Sequence, residues 1–299
     1  MSKIILISGP TASGKSEFAV KIAKKVNGEI INADSMQIYK EIKILNTRPD
    51  KNLTKKVKHH LYGFVSVKTK FSVGKWVILA NKLIKQIINK KKVPIIVGGT
   101  GLYFKSLTEG LVKIPNIPFK FRKKVRSLHK KLGSKKFFLR LIKLDDLARG
   151  HVNLSDTQRV IRAYEVKLYT RKSLYEWFKN TKSNYEKDDF FKIYIDYPRP
   201  ELIKRINSRT EDMIQNGAIL EVKKLIRLKV PSRKTAYKAI GIEEIREYLQ
   251  EKIELTEVVE KISIKTRQYA KRQTTWGRGN MVDWNILKSH GLDQFLKKI

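Results

Sequence analysis

The feature that most constrains this chain is a glycine-rich octapeptide near its beginning. Residues 9–16 read GPTASGKS, which fits the pattern G-x-x-x-x-G-K-[ST]. The apolar run 3–8 before it predicts a strand, and an amphipathic helix is predicted from Gly14 to about Val26. In such a loop the backbone N–H groups and the helix start bind phosphate oxygens, and Lys15 reaches the terminal phosphate. The octapeptide therefore predicts a phosphate or diphosphate site, whether or not the ligand is a nucleotide.

Strands and helices alternate after this loop. Residues 29–33 and 93–99 are short apolar runs that predict strands, and 71–91 shows helical periodicity after Ser72. Alternation of this kind after a phosphate loop is typical of βαβ units and a parallel sheet. We therefore predict an α/β fold with a P-loop NTPase-like parallel sheet flanked by helices.

The pattern changes after Leu111. Residues 119–180 are lysine-rich and helical in character, whereas 190–197 returns to strand character. Two or three further helices are predicted after this strand, within 199–216, 218–229 and about 257–276. The predicted domains are a P-loop-type catalytic core of 1–114 and 191–299, and a basic helical insertion of 115–190.

The charge of the chain indicates a polyanionic partner. The formal net charge is +37, and residues 51–150 carry 23 of these charges. A bias of composition toward lysine would spread the charge more evenly, so the concentration favours nucleic acid, and RNA in particular. The sequence contains no cysteine, which excludes disulfides and thiolate metal sites and fits a reducing compartment. No uncharged apolar run approaches the roughly 18 residues of a membrane span, so we expect a cytoplasmic protein that does not enter membranes.

Two further segments supply polar groups next to the predicted phosphate site. Asp34 follows the strand 29–33, and Gly98-Gly99-Thr100-Gly101 follows the strand 93–99. Ligands of open α/β sheets bind at the carboxyl ends of the strands. A carboxylate there orients magnesium or accepts a proton from a nucleophile. The alternatives are an Asx turn or helix cap at Asp34 and a plain turn at the glycines.

Several segments together carry a more specific resemblance. They are GPTASGKS at 9–16, NADSMQIY at 32–39, HHL at 59–61, GGTGLYFKSLTEGL at 98–111, SDTQRVIRAYEV at 155–166, GAILEVKKL from Gly217, KAIG at 238–241 and TRQYAKRQTTW at 266–276. In this order they resemble the tRNA dimethylallyltransferase family, also called tRNA isopentenyltransferases. The resemblance spans nearly the whole chain.

The resemblance implies a reaction. The expected activity transfers a dimethylallyl group from dimethylallyl diphosphate to N6 of the adenosine directly 3′ of the anticodon in tRNA. Diphosphate leaves, and no nucleoside triphosphate is consumed. The implied partners are therefore dimethylallyl diphosphate and the tRNA anticodon stem-loop, and the implied cofactor is Mg²⁺ held at Ser16.

The resemblance also assigns roles to individual residues. Asp34 is expected to act as general base, Thr100 to position the amine or the donor, and Lys15 to stabilise the leaving diphosphate. The expected diphosphate-binding residues are Gly9, Thr11, Ala12, Ser13, Gly14, Lys15, Ser16 and Arg209. The expected tRNA-binding residues are Asp34, Ser35, Met36, Gln37, Thr100, Arg122, Gln158, Arg159, Arg162, Lys271, Arg272, Gln273 and Arg278.

Some of these residues have simpler interpretations. Arg209 would also suit a solvated helix face, and Ser155 with Gln158 fits a capping box at a helix start. We expect Trp276 to be a core residue, and we expect His59 and His60 to be structural rather than metal ligands.

Two other functions remain open from the sequence. A small-molecule or nucleotide kinase would share the loop and the sheet but would not need the basic stretch 51–150. A non-catalytic RNA-binding protein would have no need for an intact set of Lys15, Ser16, Asp34 and Thr100. We expect a monomer.

Overall fold

The computed structural model describes residues 3–231 and 234–298 of the chain. In this part of the chain six parallel strands form one sheet, in the order β3-β2-β4-β1-β5-β6. The strands are β1 (Ile4–Ser8), β2 (Gly28–Asn32), β3 (His59–His60), β4 (Val93–Gly98), β5 (Phe190–Asp196) and β6 (Asn285–Lys288). The predicted α/β fold with a parallel sheet is confirmed, and the strand that follows the predicted insertion pairs with β1.

Helices account for most of the remaining described residues. They are α1 (Lys15–Lys25), α2 (Lys51–Lys56), α3 (Val73–Asn89), α4 (Gly101–Thr108), α5 (Phe119–Leu144), α6 (Thr157–Thr170), α7 (Leu174–Lys179), α8 (Arg199–Gln215), α9 (Ala218–Arg227), α10 (Ile242–Leu249), α11 (Leu255–Asn280) and α12 (Leu292–Lys298). The described helices include none that is long and apolar enough to cross a membrane.

The apolar runs form strands because both faces of the sheet are covered. In β1, Ile4 and Leu6 pack on one face with Trp76 of α3, while Ile5 and Ile7 pack on the other face with residues of α1. A parallel strand that is buried on both sides needs a continuous β-branched or apolar run rather than an alternating one. The Ser72 hydroxyl accepts the Lys75 backbone N–H and caps α3.

The strand order determines where the functional loops lie. Strands β2, β4 and β1 are neighbours, and all three run in the same direction. The segments after them therefore meet at one edge of the sheet, where open α/β folds bind ligands. Gly98 permits this approach, because a Cβ atom there would lie 2.2 Å from the Ala33 carbonyl group.

The chain divides into two compact units. The larger unit consists of Met1–Thr108 and Tyr185–Ile299, and the smaller one of Glu109–Asn184. The smaller unit is helical, and its core includes Phe137 and Leu141 of α5 with Tyr164 of α6. The assignment of tRNA binding to this unit stays a prediction.

The start of α6 decides the capping-box alternative for Gln158. Its N-cap is Asp156, whose side chain accepts the Arg159 backbone N–H at 3.2 Å and pairs with the Arg159 guanidinium at 3.1 Å. The alternative interpretation, a capping box formed by Ser155 and Gln158, is therefore wrong. A carboxylate caps a helix well. Because Asp156 rather than Ser155 is the N-cap, Gln158 does not occupy the third helical position that a capping box requires.

A buried carboxylate joins β2 to its neighbours. Glu29 is 2% exposed and accepts hydrogen bonds from His60 Nε2 at 2.7 Å and from Lys92 Nζ at 3.0 Å. His59 contacts the Val57 carbonyl through Nδ1 at 2.7 Å. Both histidines therefore have partners within the fold.

Glu29→Gln is expected to lower the free energy of unfolding at pH 7 by about 1–3 kcal/mol. Burial opposes ionisation of Glu29, but the bonds from His60 and Lys92 outweigh it and lower its pKa below 4.5. The stabilisation is therefore complete above pH 4.5 and is lost as the pH falls through the folded-state pKa. Denaturant unfolding across this range measures both effects. The exposed Glu260→Gln is the control, and an equal loss for it would refute the assignment.

Candidate active site

The phosphate loop connects β1 to α1. Gly14 lies at the N-cap of α1 in the left-handed region, with a φ of 80°. Lys15 begins the helix, and its ammonium donates to the Pro10 carbonyl at 2.9 Å. Burial lowers the pKa of Lys15 to about 8, while Asp34 raises it and Arg209 lowers it further. The loop therefore holds a cation that a bound anion would stabilise.

Two arginines of α8 reach the same loop. Arg209 donates to Thr11 Oγ1 at 3.3 Å and also contacts Thr47 Oγ1. Burial lowers the pKa of Arg209 to about 10, against the attraction of Asp34. The alternative of a solvated helix face is therefore wrong for Arg209. Arg205, one turn earlier, donates from Nε to the Ala12 carbonyl at 2.8 Å.

Asp34 lies just beyond the end of β2 and faces the phosphate loop. Its Oδ1 accepts the Met36 backbone N–H at 2.9 Å, so the Asx turn that the sequence left open does form. Its charge also acts on Lys15 and Arg209. Burial and the Asp34 charge raise the pKa values of three surrounding tyrosines, which are Tyr62, Tyr103 and Tyr269. The Asx turn is compatible with a role of Asp34 as general base, because the hydrogen bond to the Met36 N–H fixes the direction of the carboxylate.

The loop after β4 completes this edge of the sheet. Thr100 donates its backbone N–H to the Ala33 carbonyl at 3.1 Å. Its hydroxyl oxygen accepts the Ser35 backbone N–H at 2.9 Å and donates to Ser35 Oγ at 3.3 Å. The Thr100 hydroxyl is thus tied to the segment that follows Asp34.

Helix α11 joins the phosphate loop to the Gly98–Gly101 loop. Gln273 accepts the Thr11 backbone N–H at 2.8 Å and donates to the Gly99 carbonyl at 3.0 Å. Both the oxygen and the nitrogen of the Gln273 amide therefore form hydrogen bonds within the protein, whereas the resemblance gave this residue a role in tRNA binding. The ring of Trp276 lies where a Cβ atom on Gly101 would be, and Trp276 packs half-buried against the core.

Two cavities open beside these loops. The larger has a volume of about 970 Å³, and the smaller has a volume of about 270 Å³. Ser35, Tyr269 and Arg272 line both of them. The predicted residues in the larger cavity are Thr11, Ala12, Ser13, Gly14, Lys15, Ser16, Asp34, Ser35, Met36, Gln37, Arg209 and Arg272.

The smaller cavity and the surface hold the remaining predicted residues. Gly9, Thr100 and Gln273 line the smaller cavity. Lys271 and Arg278 are exposed on α11. Arg122, Gln158, Arg159 and Arg162 belong to the smaller unit. Gln37 donates to the carbonyls of Asn46 and Thr47 at 2.9 and 3.3 Å, so part of its amide is already engaged.

Sequence reasoning missed Arg205 and the bridging role of Gln273. Arg205 precedes Arg209 by four residues and therefore shares a helix face with it, which is a signal that could have paired them. The bridge made by Gln273 joins residues 262 positions apart, so no local pattern could reveal it.

The larger cavity offers oxygen ligands for a cation. The Ser16 hydroxyl and the Asp34 carboxylate both line it. Among the described residues there is no group of three or more His, Cys, Asp or Glu side chains that could enclose a metal ion. The Ser16 hydroxyl suits Mg²⁺, which proteins commonly hold through one or two side-chain oxygens together with substrate phosphates.

Diphosphate binding is expected to weaken as the pH rises above about 8. The Lys15 ammonium attracts the anion, but its pKa in the free protein is about 8. Above that value binding must be coupled to proton uptake, so the dissociation constant rises by up to about tenfold per pH unit. Calorimetric titration with inorganic diphosphate measures the effect. Lys15→Arg stays charged, and an identical inflection in this variant would contradict the assignment.

A comparison with protein families identifies the chain. Residues 37–280 match the model of a family described as IPP transferase. The chain belongs to the IPP transferase family. The resemblance that the sequence motifs carried is confirmed.

Relatives of this IPP transferase family member cover its full length. The tRNA dimethylallyltransferase of Pelagibacter ubique (strain HTCC1062) is 57% identical over 298 residues, which cover 100% of this chain and 95% of that relative. The tRNA dimethylallyltransferase of Rickettsia massiliae (strain Mtu5) is 42% identical over 297 residues, which cover 99% of this chain and 82% of that relative.

Solved structures of the family share the fold. The tRNA delta(2)-isopentenylpyrophosphate transferase of Staphylococcus epidermidis matches with a TM-score of 0.70 at 33% identity, covering 100% of this chain and 97% of that one. A eukaryotic dimethylallyltransferase, described in crystallographic snapshots of its action on tRNA, matches with a TM-score of 0.85 at 28% identity. That match covers 99% of this chain and 76% of the eukaryotic one.

Proposed function

We propose that this protein transfers a dimethylallyl group from dimethylallyl diphosphate to N6 of the adenosine directly 3′ of the anticodon in tRNA. The observation that carries the proposal is that the phosphate loop, the half-buried cations Lys15 and Arg209 and the Asp34 carboxylate line the same cavity. Lys15, Arg209 and Asp34 interact there electrostatically. The relatives described above carry names for this activity.

The phosphate loop binds the diphosphate of the donor. The bond from C1 of the dimethylallyl group to the diphosphate oxygen breaks, and negative charge develops on the leaving group. Lys15 and Arg209 stabilise this charge, and the loop N–H groups and the N-terminus of α1 stabilise it further. Arg205 holds the Ala12 carbonyl and so fixes the loop around the anion. When bound, Mg²⁺ would neutralise diphosphate charge, and the Ser16 hydroxyl would hold it.

The carboxylate acts on the acceptor. The N6 amine of adenine is a weak nucleophile because its lone pair is delocalised into the ring. As the bond from N6 to C1 forms, Asp34 accepts the N6 proton, and the products are N6-dimethylallyl-adenosine and diphosphate. Thr100 and Ser35, which are hydrogen-bonded to each other, position the base beside Asp34. The adenosine leaves its stack to enter the cavity, and the segment Asp34–Gln37 contacts it.

Exposed residues of α11 and residues of the smaller unit bind the tRNA, most of them as cations that contact its phosphates. On α11 they are Lys271, Arg278 and Arg272, which also lines both cavities. In the smaller unit they are Arg122, Gln158, Arg159 and Arg162. In the smaller unit the buried carboxylate of Glu165 lies 3.8 Å from Arg162 and fixes the direction of that guanidinium. One chain supplies the loop and the carboxylate, so we propose an active monomer that works in the cytoplasm on tRNA.

An acceptor substitution tests the function. The enzyme is incubated with labelled dimethylallyl diphosphate and an anticodon stem-loop, and label in the RNA is counted. Replacing the target adenosine with guanosine, which carries no N6 amine, should abolish transfer. Transfer to both stem-loops would contradict the proposed acceptor atom. The kinase and the non-catalytic RNA-binding alternatives are not favoured, and absence of transfer to either stem-loop would restore them.

A further inference from the structure

Asn32 stands out among the buried polar residues near the cavity. It is the last residue of β2, and its side chain is fully buried. A buried carboxamide is costly unless its donors and acceptor are used. The resemblance gave it no role, and it does not line either cavity. Its contacts therefore decide what it does.

The carboxamide of Asn32 holds the backbone of Asp34 from both sides. Its Oδ1 accepts the Asp34 backbone N–H at 2.9 Å, and its Nδ2 donates to the Asp34 carbonyl at 3.0 Å. The same Nδ2 donates to the carbonyl of Leu61, just beyond β3, at 3.0 Å. The peptide units on both sides of the Asp34 Cα are thus fixed to one rigid side chain.

Asn32 is itself fixed by the core. Its backbone carbonyl accepts the indole N–H of Trp76 at 2.7 Å. Trp76 is fully buried and stacks on Tyr103 with a centroid distance of 4.3 Å and an interplanar angle of 15°. This chain of contacts joins helices α3 and α4 to the end of β2. It gives Asn32 little freedom to move.

We propose that Asn32 is a positioning residue that fixes the Asp34 backbone and thereby aims the carboxylate at the acceptor amine. This inference rests on the proposed role of Asp34 as the general base. Asn32 does not touch the substrates, so its effect passes through Asp34. A positioning error of about 1 Å can lower a rate by about a hundredfold.

Asn32→Leu tests the proposal, because leucine keeps the approximate volume and removes all three bonds. We expect the single-turnover rate constant to fall by about tenfold to a hundredfold. The apparent affinities for donor and stem-loop should change by less than about threefold, because the binding groups are untouched. A loss that appears in affinity rather than in rate would refute a positioning role.

A double-mutant cycle with Asp34→Asn separates positioning from general structural damage. If Asn32 acts through Asp34, Asn32→Leu should have little further effect on the already slow Asp34→Asn enzyme. Equal losses in both backgrounds would overturn the inference and leave the base role of Asp34 intact. Nearly wild-type activity of Asp34→Asn alone would instead overturn the base role. Glu29→Gln, also on β2, controls for lost stability and should retain the wild-type rate.

Asn32→Asp is the second variant and serves if Asn32→Leu does not fold. It keeps an acceptor for the Asp34 N–H but loses the Nδ2 donor that holds the carbonyls of Asp34 and Leu61. We therefore expect the single-turnover rate constant to fall by about tenfold, while the apparent affinities for donor and stem-loop change by less than about threefold. A wild-type rate constant in the folded variant would contradict the proposal.

Discussion

Asp34→Asn is expected to lower the single-turnover rate of dimethylallyl transfer by about a hundredfold or more, as for loss of a positioned base. Asparagine keeps the side-chain oxygen that accepts the Met36 N–H, so the Asx turn and the local backbone are preserved. The amide cannot accept the proton of N6 at neutral pH. The loss should therefore appear in the rate of transfer and not in the affinity for tRNA.

A matched variant isolates the effect of the carboxylate from the effect of charge. Asp212 lines the same cavity and is exposed on α8. Asp212→Asn removes one negative charge from the cavity wall and should retain the wild-type rate within about twofold, as surface substitutions do. A comparable loss in both variants would mean that the general field of the cavity, not a base at position 34, carries the effect.

Lys15→Ala is expected to weaken binding of dimethylallyl diphosphate by about a hundredfold, the lower range for truncating one partner of a desolvated, hydrogen-bonded charge pair. The ammonium lies inside the phosphate loop and is desolvated, so its attraction to a diphosphate is poorly screened. Binding of the anticodon stem-loop should stay within about twofold, because other cations carry it. Calorimetry with each ligand separately measures both affinities.

The control for this variant lies on the same helix. Lys21 is exposed on α1 and pairs with Asp293 at 3.0 Å. Lys21→Ala changes the net charge equally but removes only a surface ion pair, which contributes about 1 kcal/mol or less. Donor affinity should therefore be unchanged. An equal weakening of donor and RNA binding in Lys15→Ala would show that the loop is not a dedicated diphosphate site.

The sequence predicted well those parts of the fold that local patterns determine. The phosphate loop is a local motif, and the strands β1, β2 and β4 beside it are short, mainly apolar segments that lie within two residues of their predicted bounds. Strand β6 and helix α12 were not predicted. Ile286 in β6 is 62% exposed, so this edge strand shows no buried apolar run. The alternative capping box at Ser155 does not form because the neighbouring Asp156 caps α6 instead.

The sequence predicted the reactive and phosphate-binding residues of the candidate site but not the residues that hold them in place. Lys15, Asp34 and Thr100 belong to local motifs, and the structure brings their loops to neighbouring strand ends. Gln273 and Arg205 act on the phosphate loop from distant helices. In the sequence Asn32 is an ordinary residue of a predicted strand. Its role depends on hydrogen bonds to the backbone of Asp34 and to Leu61, which follows β3. Contacts of this kind are set by tertiary packing, so a single sequence does not reveal them.

The most direct test of the central claim is donor transfer in the absence of any nucleoside triphosphate. The enzyme is freed of nucleotides, supplied with Mg²⁺ and labelled dimethylallyl diphosphate, and mixed with the anticodon stem-loop, with and without added ATP. The account predicts full transfer of label without ATP and release of one diphosphate per modified adenosine. Transfer that requires ATP, or hydrolysis of ATP with no label in the RNA, would contradict it.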